Sequence, residues 1–193
     1  MKDYFEYQVL VPNGGIVYNF DMDGVIAIWD ATASIEDTFS AGYFASKMPE
    51  AVMVEVVKMM IDAGMNVNIL SSAYDNGKAI PEKAGWLDKH IGKKGYGRTF
   101  VPYGEDKTIY MPHGQVNVLI DDFSKNLHSW VRDTKEGEKN LAFKFYNGIN
   151  GNHGTWTSYA VTNRMTAEEI YTEIVSISEK IAKSNVSSNL QMI

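Results

Sequence analysis

The sequence contains 193 residues with a formal net charge of −6, and 45% of them are hydrophobic. A chain of this length and composition can bury one globular core, whereas its mild acidic excess argues against a broad nucleic-acid-binding surface, which needs clustered Lys and Arg. Cysteine is absent, which excludes a disulfide scaffold, a Cys–zinc site and a cysteine nucleophile. No apolar run approaches the roughly 18 residues of a membrane span. We therefore expect a cytoplasmic protein without a nucleic-acid or membrane partner.

Short apolar segments alternate with segments in which apolar residues recur at helical spacing. In chain order the pattern predicts strand Gly15–Phe20, helix Pro49–Ala63, strand Asn66–Leu70, helix Pro81–Ile91, strand Val116–Ile120, helix Phe123–Arg132, strand Leu141–Phe145 and helix Thr166–Ala182. The last helix opens with a capping box formed by Thr166 and Glu169. Alternating strands and helices predict one α/β domain over residues 1–193, with a mainly parallel sheet. In such sheets ligands bind at the carboxyl ends of the strands.

Two aspartates, Asp21 and Asp23, follow the first strand and are separated by one residue. Residues two apart in extended backbone point to the same side, so their carboxylates repel unless a cation or a proton accompanies them. Phosphoryl transfer uses both states, because one carboxylate can attack phosphorus while the other protonates the leaving alkoxide and then activates water. The alternative is a solvated Asp-x-Asp-Gly turn that ends at Gly24.

A second pair of acids, Asp121 and Asp122, follows an apolar strand. Magnesium prefers oxygen ligands in octahedral geometry, so Asp21 together with an acid of this pair forms a minimal metal cage. The alternative role for Asp122 is to cap the helix that begins near Phe123, and the pair can serve both roles, one Asp for each.

Three further residues are suited to binding a phosphoryl group. Ser71 and Ser72 end another apolar strand, where a hydroxyl can donate to a phosphate oxygen and the following amides can form an anion nest. Lys107 lies in a polar loop and can supply the positive charge that a phosphoryl group requires. Each has an ordinary alternative, since serine often ends a strand in a turn and a loop lysine is usually solvated.

These residues follow one another in the order of the four motifs of haloacid dehalogenase (HAD) phosphatases, over about residues 16 to 145. Within that superfamily the sequence resembles the cytosolic and mitochondrial 5′(3′)-deoxyribonucleotidases and their bacterial and phage relatives. The segments that carry the resemblance are FDMDGVIA (Phe20–Ala27), GYF (Gly42–Phe44), EKAGWLDKHIG (Glu82–Gly92), DKT (Asp106–Thr108) and LIDD (Leu119–Asp122).

The resemblance implies a three-layer Rossmann-like HAD fold with a small helical cap inserted at about residues 31–48. It also implies magnesium-dependent hydrolysis of a small phosphomonoester, a nucleoside 5′-monophosphate, through an aspartyl-phosphate intermediate. In this scheme Asp21 is the nucleophile, Asp23 is the general acid and base, and Lys107 neutralises the phosphate and the nucleophile.

The same resemblance assigns the binding residues. Ser71 takes the phosphate-binding hydroxyl position, with Ser72 beside it. The expected magnesium ligands are Asp21, Asp121 with Asp122 beside it, and Asp23 through its backbone carbonyl.

The segment that separates Gly24 from Gly42 is shorter than in the animal enzymes, so the family's base and sugar preference is not carried over. Tyr43 and Phe44 match the family's aromatic pair and are candidates for substrate contact, since stacking on a base contributes about 1–3 kcal/mol. The alternative is that both pack the cap onto the core. The glycine-rich loop Asn147–Thr157 is either a ligand contact or a linker.

Two rival functions stay open at this point. One is a HAD phosphatase for a sugar phosphate or another small metabolite, where the shortened cap also leaves room for a larger substrate such as a nucleic-acid 3′-phosphate end. The other is a non-catalytic phosphate-binding module. The second aspartate of the turn, Asp23, argues against the binding module, because binding alone has no need of a proton donor. The sequence leaves the oligomeric state open.

Overall fold

The computed structural model describes residues 5–7, 15–150 and 154–190, which form seven strands and four helices. The strands are β1 Phe5–Tyr7, β2 Ile16–Phe20, β3 Asn66–Ala73, β4 Gly97–Pro102, β5 Val116–Asp121, β6 Lys139–Tyr146 and β7 Ala160–Thr162. The helices are α1 Ala51–Asp62, α2 Ala79–His90, α3 Ser124–Arg132 and α4 Ala167–Leu190. All four strands and all four helices predicted from the sequence are present, with shifted ends.

The seven strands form one sheet in the order β1-β4-β3-β2-β5-β6-β7. The pairs from β4 across to β7 are parallel, and β1 pairs antiparallel with β4 at one edge. The central strand β2 has β3 on one side and β5 on the other, so its carboxyl end lies at a topological switch point. The α/β fold with a mainly parallel sheet is thus confirmed, and its ligand-binding edge lies at the ends of β2, β3 and β5.

Side chains of the central strands alternate between two faces, and helices cover both. On one face Ile69 and Val118 belong to a core that includes residues of α1, α2 and α4. On the other face Leu70 and Leu119 pack with Trp130 of α3. Strands that are buried on both faces have continuous apolar sequences, which made the central strands predictable. The arrangement is a three-layer Rossmann-like fold.

Strands β1, β4 and β7 have no clear signal in the sequence. β1 and β7 contain three residues each, too few for a period-2 pattern. In β4 the charge of Arg98 interrupts the apolar run, although its side chain is buried. The guanidinium donates to Asp88 Oδ1 and to the Gly92 carbonyl, both at 2.7 Å. Partners in α2 and in the turn after it therefore stabilise a charge that a strand pattern disfavours.

The cap predicted at residues 31–48 is a short segment with one 3-10 turn, Asp37–Phe39, and otherwise turns and irregular backbone. The amides of Gly42 and Phe44 donate to the carboxylate of Glu82 at 2.7 and 3.1 Å. Because Glu82 lies in the first turn of α2, the segment is fastened to that helix beside the ligand-binding edge.

Helix α4 begins with the predicted capping box. The Glu169 carboxylate accepts the Thr166 amide at 2.8 Å, and the Glu169 amide donates to the Thr166 hydroxyl at 3.2 Å. Each contact satisfies an amide that the first helical turn leaves unpaired. Within the described ranges no helix combines the length and the apolar character needed to cross a membrane.

Candidate active site

The turn after β2 holds Asp21 and Asp23 at the carboxyl edge of the sheet. The Asp21 amide donates to the Ile120 carbonyl of β5 at 2.9 Å, which continues the sheet by one residue. The side chain of Met22 points into the core, and its carbonyl accepts the amide of Ala27 at 2.8 Å. The apolar residue between the aspartates thus anchors the turn, and both carboxylates stay at the same edge.

Gly24 ends this turn with a φ of +86°, in the left-handed region that favours glycine. A Cβ atom at this position would lie 2.6 Å from Cγ of Asp122. The missing side chain therefore lets Asp122 approach the turn. The Gly24 carbonyl also accepts a hydrogen bond from Nδ2 of Asn147 at 2.8 Å, which ties the turn to the loop after β6.

Lys107 connects Asp21 to Asp121 from the 3-10 turn Lys107–Ile109. Its Nζ lies 2.8 Å from Asp21 Oδ1 and 2.7 Å from Asp121 Oδ2, and its side chain is only 4% exposed. Burial alone would lower the pKa of Lys107, but Asp121 and Asp21 outweigh that effect and raise the pKa above its usual range. The ammonium therefore stays charged and is shared by two carboxylates.

Asp21, Asp121 and Asp122, called the acidic triad below, each bring a carboxylate oxygen within 4.8 Å of the others. Burial, opposed by Lys107 and reinforced by Asp121 and Asp23, raises the pKa of Asp21 to about 6. Burial, reinforced by Asp121 and Asp21, raises the pKa of Asp122 to about 8. One lysine does not balance three carboxylates, and an all-oxygen donor set with surplus negative charge fits Mg²⁺.

The two acids after β5 have different surroundings. Asp121 is fully buried, and it accepts the Phe123 amide at 2.8 Å and the Asn126 side-chain amide at 2.9 Å. Asp121 thus fixes the residue that precedes α3, and the capping role considered for Asp122 is not observed, since the helix has no side-chain cap. Among the described residues, the Asp122 carboxylate has only Asn147 Nδ2, at 3.3 Å, as a hydrogen-bond donor. Asp122 thus retains acceptor capacity for a cation.

A second buried lysine, Lys83 of α2, was not among the predicted site residues. Its Nζ forms an ion pair with Oδ2 of Asp23 and donates to Ser71 Oγ at 2.8 Å and to the Ser72 carbonyl at 2.7 Å. Lys83 precedes Leu87 by one helical turn, so both lie on the buried face of α2. Its core-facing helical position is the sequence signal for burial, but nothing local in the sequence indicates its partners.

Asp23, Ser71 and Lys83, called the Lys83 cluster below, leave two groups available to a ligand. Oδ1 of Asp23 is buried and has no hydrogen-bond partner among the described residues, a state that costs roughly 1–3 kcal/mol. Ser71 Oγ accepts from Lys83, so its hydroxyl hydrogen remains available for donation. The Asp23 carboxylate lies outside the acidic triad, and its expected metal contact through the backbone carbonyl stays a prediction.

The aromatic pair has two different environments. Phe44 is 3% exposed, and its ring centroid lies 4.6 Å from Nζ of Lys83. Tyr43 is half-buried, meets Phe44 edge-on at 5.0 Å, and its hydroxyl accepts from Lys47 Nζ at 2.9 Å. Phe44 therefore packs the cap onto the core beside Lys83, and a ligand contact by Tyr43 stays a prediction.

Comparisons with known proteins give little at the level of sequence. No family model matches this chain, and no curated protein matches it. A chain in the solved "Structure of Pnkp1/Rnl/Hen1 complex" is similar, with a TM-score of 0.50 and 14% sequence identity. The match covers 74% of this chain and 48% of that chain, so this chain spans about half the length of its structural neighbour. At this identity the likeness bears on the fold alone.

The assignment to the HAD phosphatases, and within them to the 5′(3′)-deoxyribonucleotidases, is wrong. Neither a family model nor a curated protein supports it, and the structural likeness is to a chain of the Pnkp1/Rnl/Hen1 complex. The resemblance depended on short segments, and the two that carry the aspartates, Phe20–Ala27 and Leu119–Asp122, lie at strand ends. Chemistry at the carboxyl edge of a parallel sheet selects acids, serine and lysine at such positions, so similar residues there do not establish common family membership.

Proposed function

We propose that this chain is a magnesium-dependent phosphomonoester hydrolase that acts through an aspartyl-phosphate intermediate at Asp21. The observation that carries the proposal is the division of the two turn aspartates between two buried lysines. Asp21 pairs with Lys107 inside the acidic triad, and Asp23 pairs with Lys83 outside it. One carboxylate is thus placed beside a cation site and the other is held apart from it.

In the first half-reaction, a carboxylate oxygen of Asp21 attacks phosphorus, and the bond between phosphorus and the leaving alkoxide oxygen breaks. Asp23 donates a proton to that alkoxide from Oδ1, the oxygen that Lys83 leaves open. Lys107 offsets charge on the nucleophile and on the phosphoryl oxygens. The Ser71 hydroxyl donates to one of those oxygens.

In the second half-reaction, Asp23 takes a proton from water, and the water oxygen attacks phosphorus. The bond between phosphorus and the Asp21 carboxylate breaks, which releases inorganic phosphate and restores both aspartates. Asp21, Asp121 and Asp122 would hold Mg²⁺, which would supply positive charge to the phosphoryl oxygens. The surplus of carboxylates over lysines supports this metal, since the same oxygen donors would repel one another without it.

The substrate class proposed is the phosphomonoesters as a whole, which include sugar phosphates and other small metabolites. Preference for nucleotides depended on the family resemblance, so it is not part of the proposal. The rival function, a non-catalytic phosphate-binding module, is disfavoured by Asp23. A binding module gains nothing from a buried carboxylate oxygen that lacks a partner, whereas a general acid needs that oxygen open.

The test is release of inorganic phosphate from 4-nitrophenyl phosphate and from a panel of sugar phosphates and other phosphomonoesters. We expect turnover with Mg²⁺, loss of turnover with EDTA and recovery when Mg²⁺ is restored. The matched control for Asp21→Asn is Asp62→Asn, because Asp62 is exposed at the end of α1. A folded protein that releases no phosphate from any compound with Mg²⁺ present would overturn the proposal.

A further inference from the structure

Lys144 of β6 is a buried lysine that the proposed mechanism does not use. It is 2% exposed, as buried as Lys83 and Lys107, which both form ion pairs with site aspartates. Among the described residues, Lys144 forms no ion pair with a carboxylate. Asp122 attracts Lys144 electrostatically but forms no direct ion pair with it, and Asp122 already belongs to the acidic triad. Taking an ammonium out of water without a paired anion is costly, so a further anion beside Lys144 would be stabilising.

The contacts of Lys144 leave part of its ammonium available. Nζ donates to the Asp122 carbonyl at 2.8 Å and to Ser124 Oγ at 3.2 Å. An ammonium has three donors, so one N–H remains for another acceptor. The nearest ring, that of Tyr146, has its centroid 5.6 Å away and supplies only a weak additional attraction.

Lys144 lies on the wall of a cavity of about 480 Å³ that opens beside the acidic triad. Asp122 lines the same cavity, so the cavity and the proposed metal site share a residue. Its apolar walls are Trp29, Phe123 and Ile149, and the last two are 58% and 45% exposed. A cavity of this size lies in the range of small-molecule sites. Its polar lining residues are Asp122, Ser124, Lys144, Asn147 and Asn150.

Two features keep polar groups available inside this cavity. Gly154, with a φ of +129°, faces Lys144, and a Cβ there would lie 3.4 Å from Nζ and 2.5 Å from Ser124 Oγ. The absent side chain therefore leaves the space beside the ammonium open. Oδ1 of Asn150, another lining residue, is a buried acceptor without a hydrogen-bond partner within the described ranges, so it suits a hydroxyl of the ligand and not its acidic group.

We propose that this cavity is a second anion subsite, which binds a carboxylate or phosphate group that the substrate carries in addition to its phosphomonoester. The inference rests on the proposed function for the identity of the reacting group. Asp122 belongs both to the cavity and to the acidic triad. The two acidic groups of one small substrate therefore lie on either side of Asp122. Trp29, Phe123 and Ile149 contact the carbon skeleton that joins them.

A different role for Lys144 predicts a different result. If Lys144 only offsets the charge of Asp122, removing it weakens every ligand of the acidic triad by a similar factor. If Lys144 binds a second acidic group, removing it weakens only ligands that carry such a group. The ratio of two affinities therefore separates these roles.

The experiment is calorimetric titration of the protein, with Mg²⁺ present, by three compounds that cannot be hydrolysed. Benzylphosphonate carries one acidic group. 3-(Phosphonomethyl)benzoate adds a carboxylate, and 1,3-bis(phosphonomethyl)benzene adds a second phosphonate. We expect at least one doubly acidic compound to bind tenfold or more tightly than benzylphosphonate, and the better of the two identifies the acidic group that the subsite prefers.

Lys144→Met should reduce that ratio to near one, and Lys144→Arg, which keeps the charge, should retain part of it. The control is Lys139→Met, because Lys139 begins the same strand and is exposed. Equal affinities for all three compounds in the wild-type protein would overturn the subsite, even if Lys144→Met does not fold. So would a ratio that survives Lys144→Met unchanged.

The two proposals fail separately in this design. If the wild-type protein hydrolyses phosphomonoesters but binds the three phosphonates equally, the subsite is overturned and the proposed function stands. If the doubly acidic compounds bind preferentially through Lys144 but no phosphomonoester is hydrolysed, the subsite stands and the proposed function is overturned.

Discussion

The acidic triad and the Lys83 cluster lie side by side at the end of β2, but their charge balance differs. Lys107 contacts two of the three carboxylates of the acidic triad. When all three are ionised, the triad and Lys107 together carry two excess negative charges. Lys83 serves one carboxylate, that of Asp23, and its other contacts are the Ser71 hydroxyl and a carbonyl. The first group has a surplus of negative charge, whereas the second is neutral when Asp23 is ionised and positive when Asp23 carries the proton that it donates.

The two charge balances suit Asp21 and Asp23 to different chemical roles. Surplus charge in a buried place favours a divalent cation, so a nucleophile that needs the phosphoryl charge offset belongs in the acidic triad. A neutral cluster has no such need, so a carboxylate there can gain and lose a proton without a metal competing for it. Asp21 and Asp23 are two residues apart, and a single turn thus places their carboxylates in two different electrostatic environments.

The largest expected effect is that of Asp21→Asn. The amide cannot attack phosphorus, so turnover should fall on the order of 10⁴-fold or more, as for loss of a nucleophile in other enzymes. Initial rates with 4-nitrophenyl phosphate at saturating Mg²⁺ measure the loss. Circular dichroism must show a folded variant, and Asp62→Asn should keep wild-type rates. Near-normal turnover in folded Asp21→Asn protein would remove Asp21 from the mechanism.

Asp23→Asn is expected to have a smaller effect that depends on the substrate. Loss of a positioned proton donor typically costs about 10²–10⁴-fold. The loss in the first half-reaction should shrink for 4-nitrophenyl phosphate, whose leaving group needs little protonation, and should be largest for alkyl phosphates. Burst kinetics with both kinds of substrate measure the difference. An equal loss for both would mean that Asp23 does not protonate the leaving group.

Lys83→Met should weaken the same proton transfer indirectly, because it frees Asp23 from its fixed orientation. A hydrogen bond to a charged group contributes about 1.5–3 kcal/mol, which corresponds to roughly 10–100-fold in rate. Lys83→Arg, which keeps the charge, should restore part of the rate. Lys89→Met, on the exposed side of the same helix, is the control. A loss of rate that follows a lowered Tm, and that Lys83→Arg does not relieve, would assign Lys83 to stability alone.

The smallest effect concerns the stability of the metal-free protein. The pKa values of Asp21 and Asp122, about 6 and about 8, lie above the ordinary value of 3.8. The folded protein therefore binds more protons than the unfolded chain between about pH 4 and pH 8, and its free energy of unfolding falls as pH rises through that window. Thermal melts in EDTA should show a lower Tm at the alkaline end of the window.

Melts with added Mg²⁺ and melts of the Asp122→Asn variant extend this measurement. Mg²⁺ should restore stability most at the alkaline end, by about 2.7 kcal/mol at a free concentration 100 times Kd. Asp122→Asn should reduce the pH dependence, and Asp62→Asn should not. A Tm that rises with pH in EDTA, or that ignores Mg²⁺, would contradict a cation site at the acidic triad.

The fold was largely predictable because the central strands are buried on both faces and are followed by polar residues. The position of Asp21 and Asp121 at one edge of the sheet was predictable for the same reason. Lys107 was a candidate only as a charge in a polar loop, and the structure brings its ammonium to both aspartates. Lys83 and Lys144 were not, because a lysine inside a helix or strand normally lies at the surface. Their burial depends on partners that are distant in sequence, such as Asp23 for Lys83, and no local pattern records such partners.

The most direct test of the account is to trap the phosphorylated intermediate. Asp23→Asn keeps the nucleophile and lacks the base for the second half-reaction, so the aspartyl-phosphate should accumulate during turnover of 4-nitrophenyl phosphate with Mg²⁺. Reduction with borohydride followed by peptide mass spectrometry identifies the modified residue. The account predicts the modification at Asp21 and its absence in the Asp21→Asn, Asp23→Asn double variant. A modification at another residue, or none under conditions where Asp23→Asn still releases 4-nitrophenol, would contradict it.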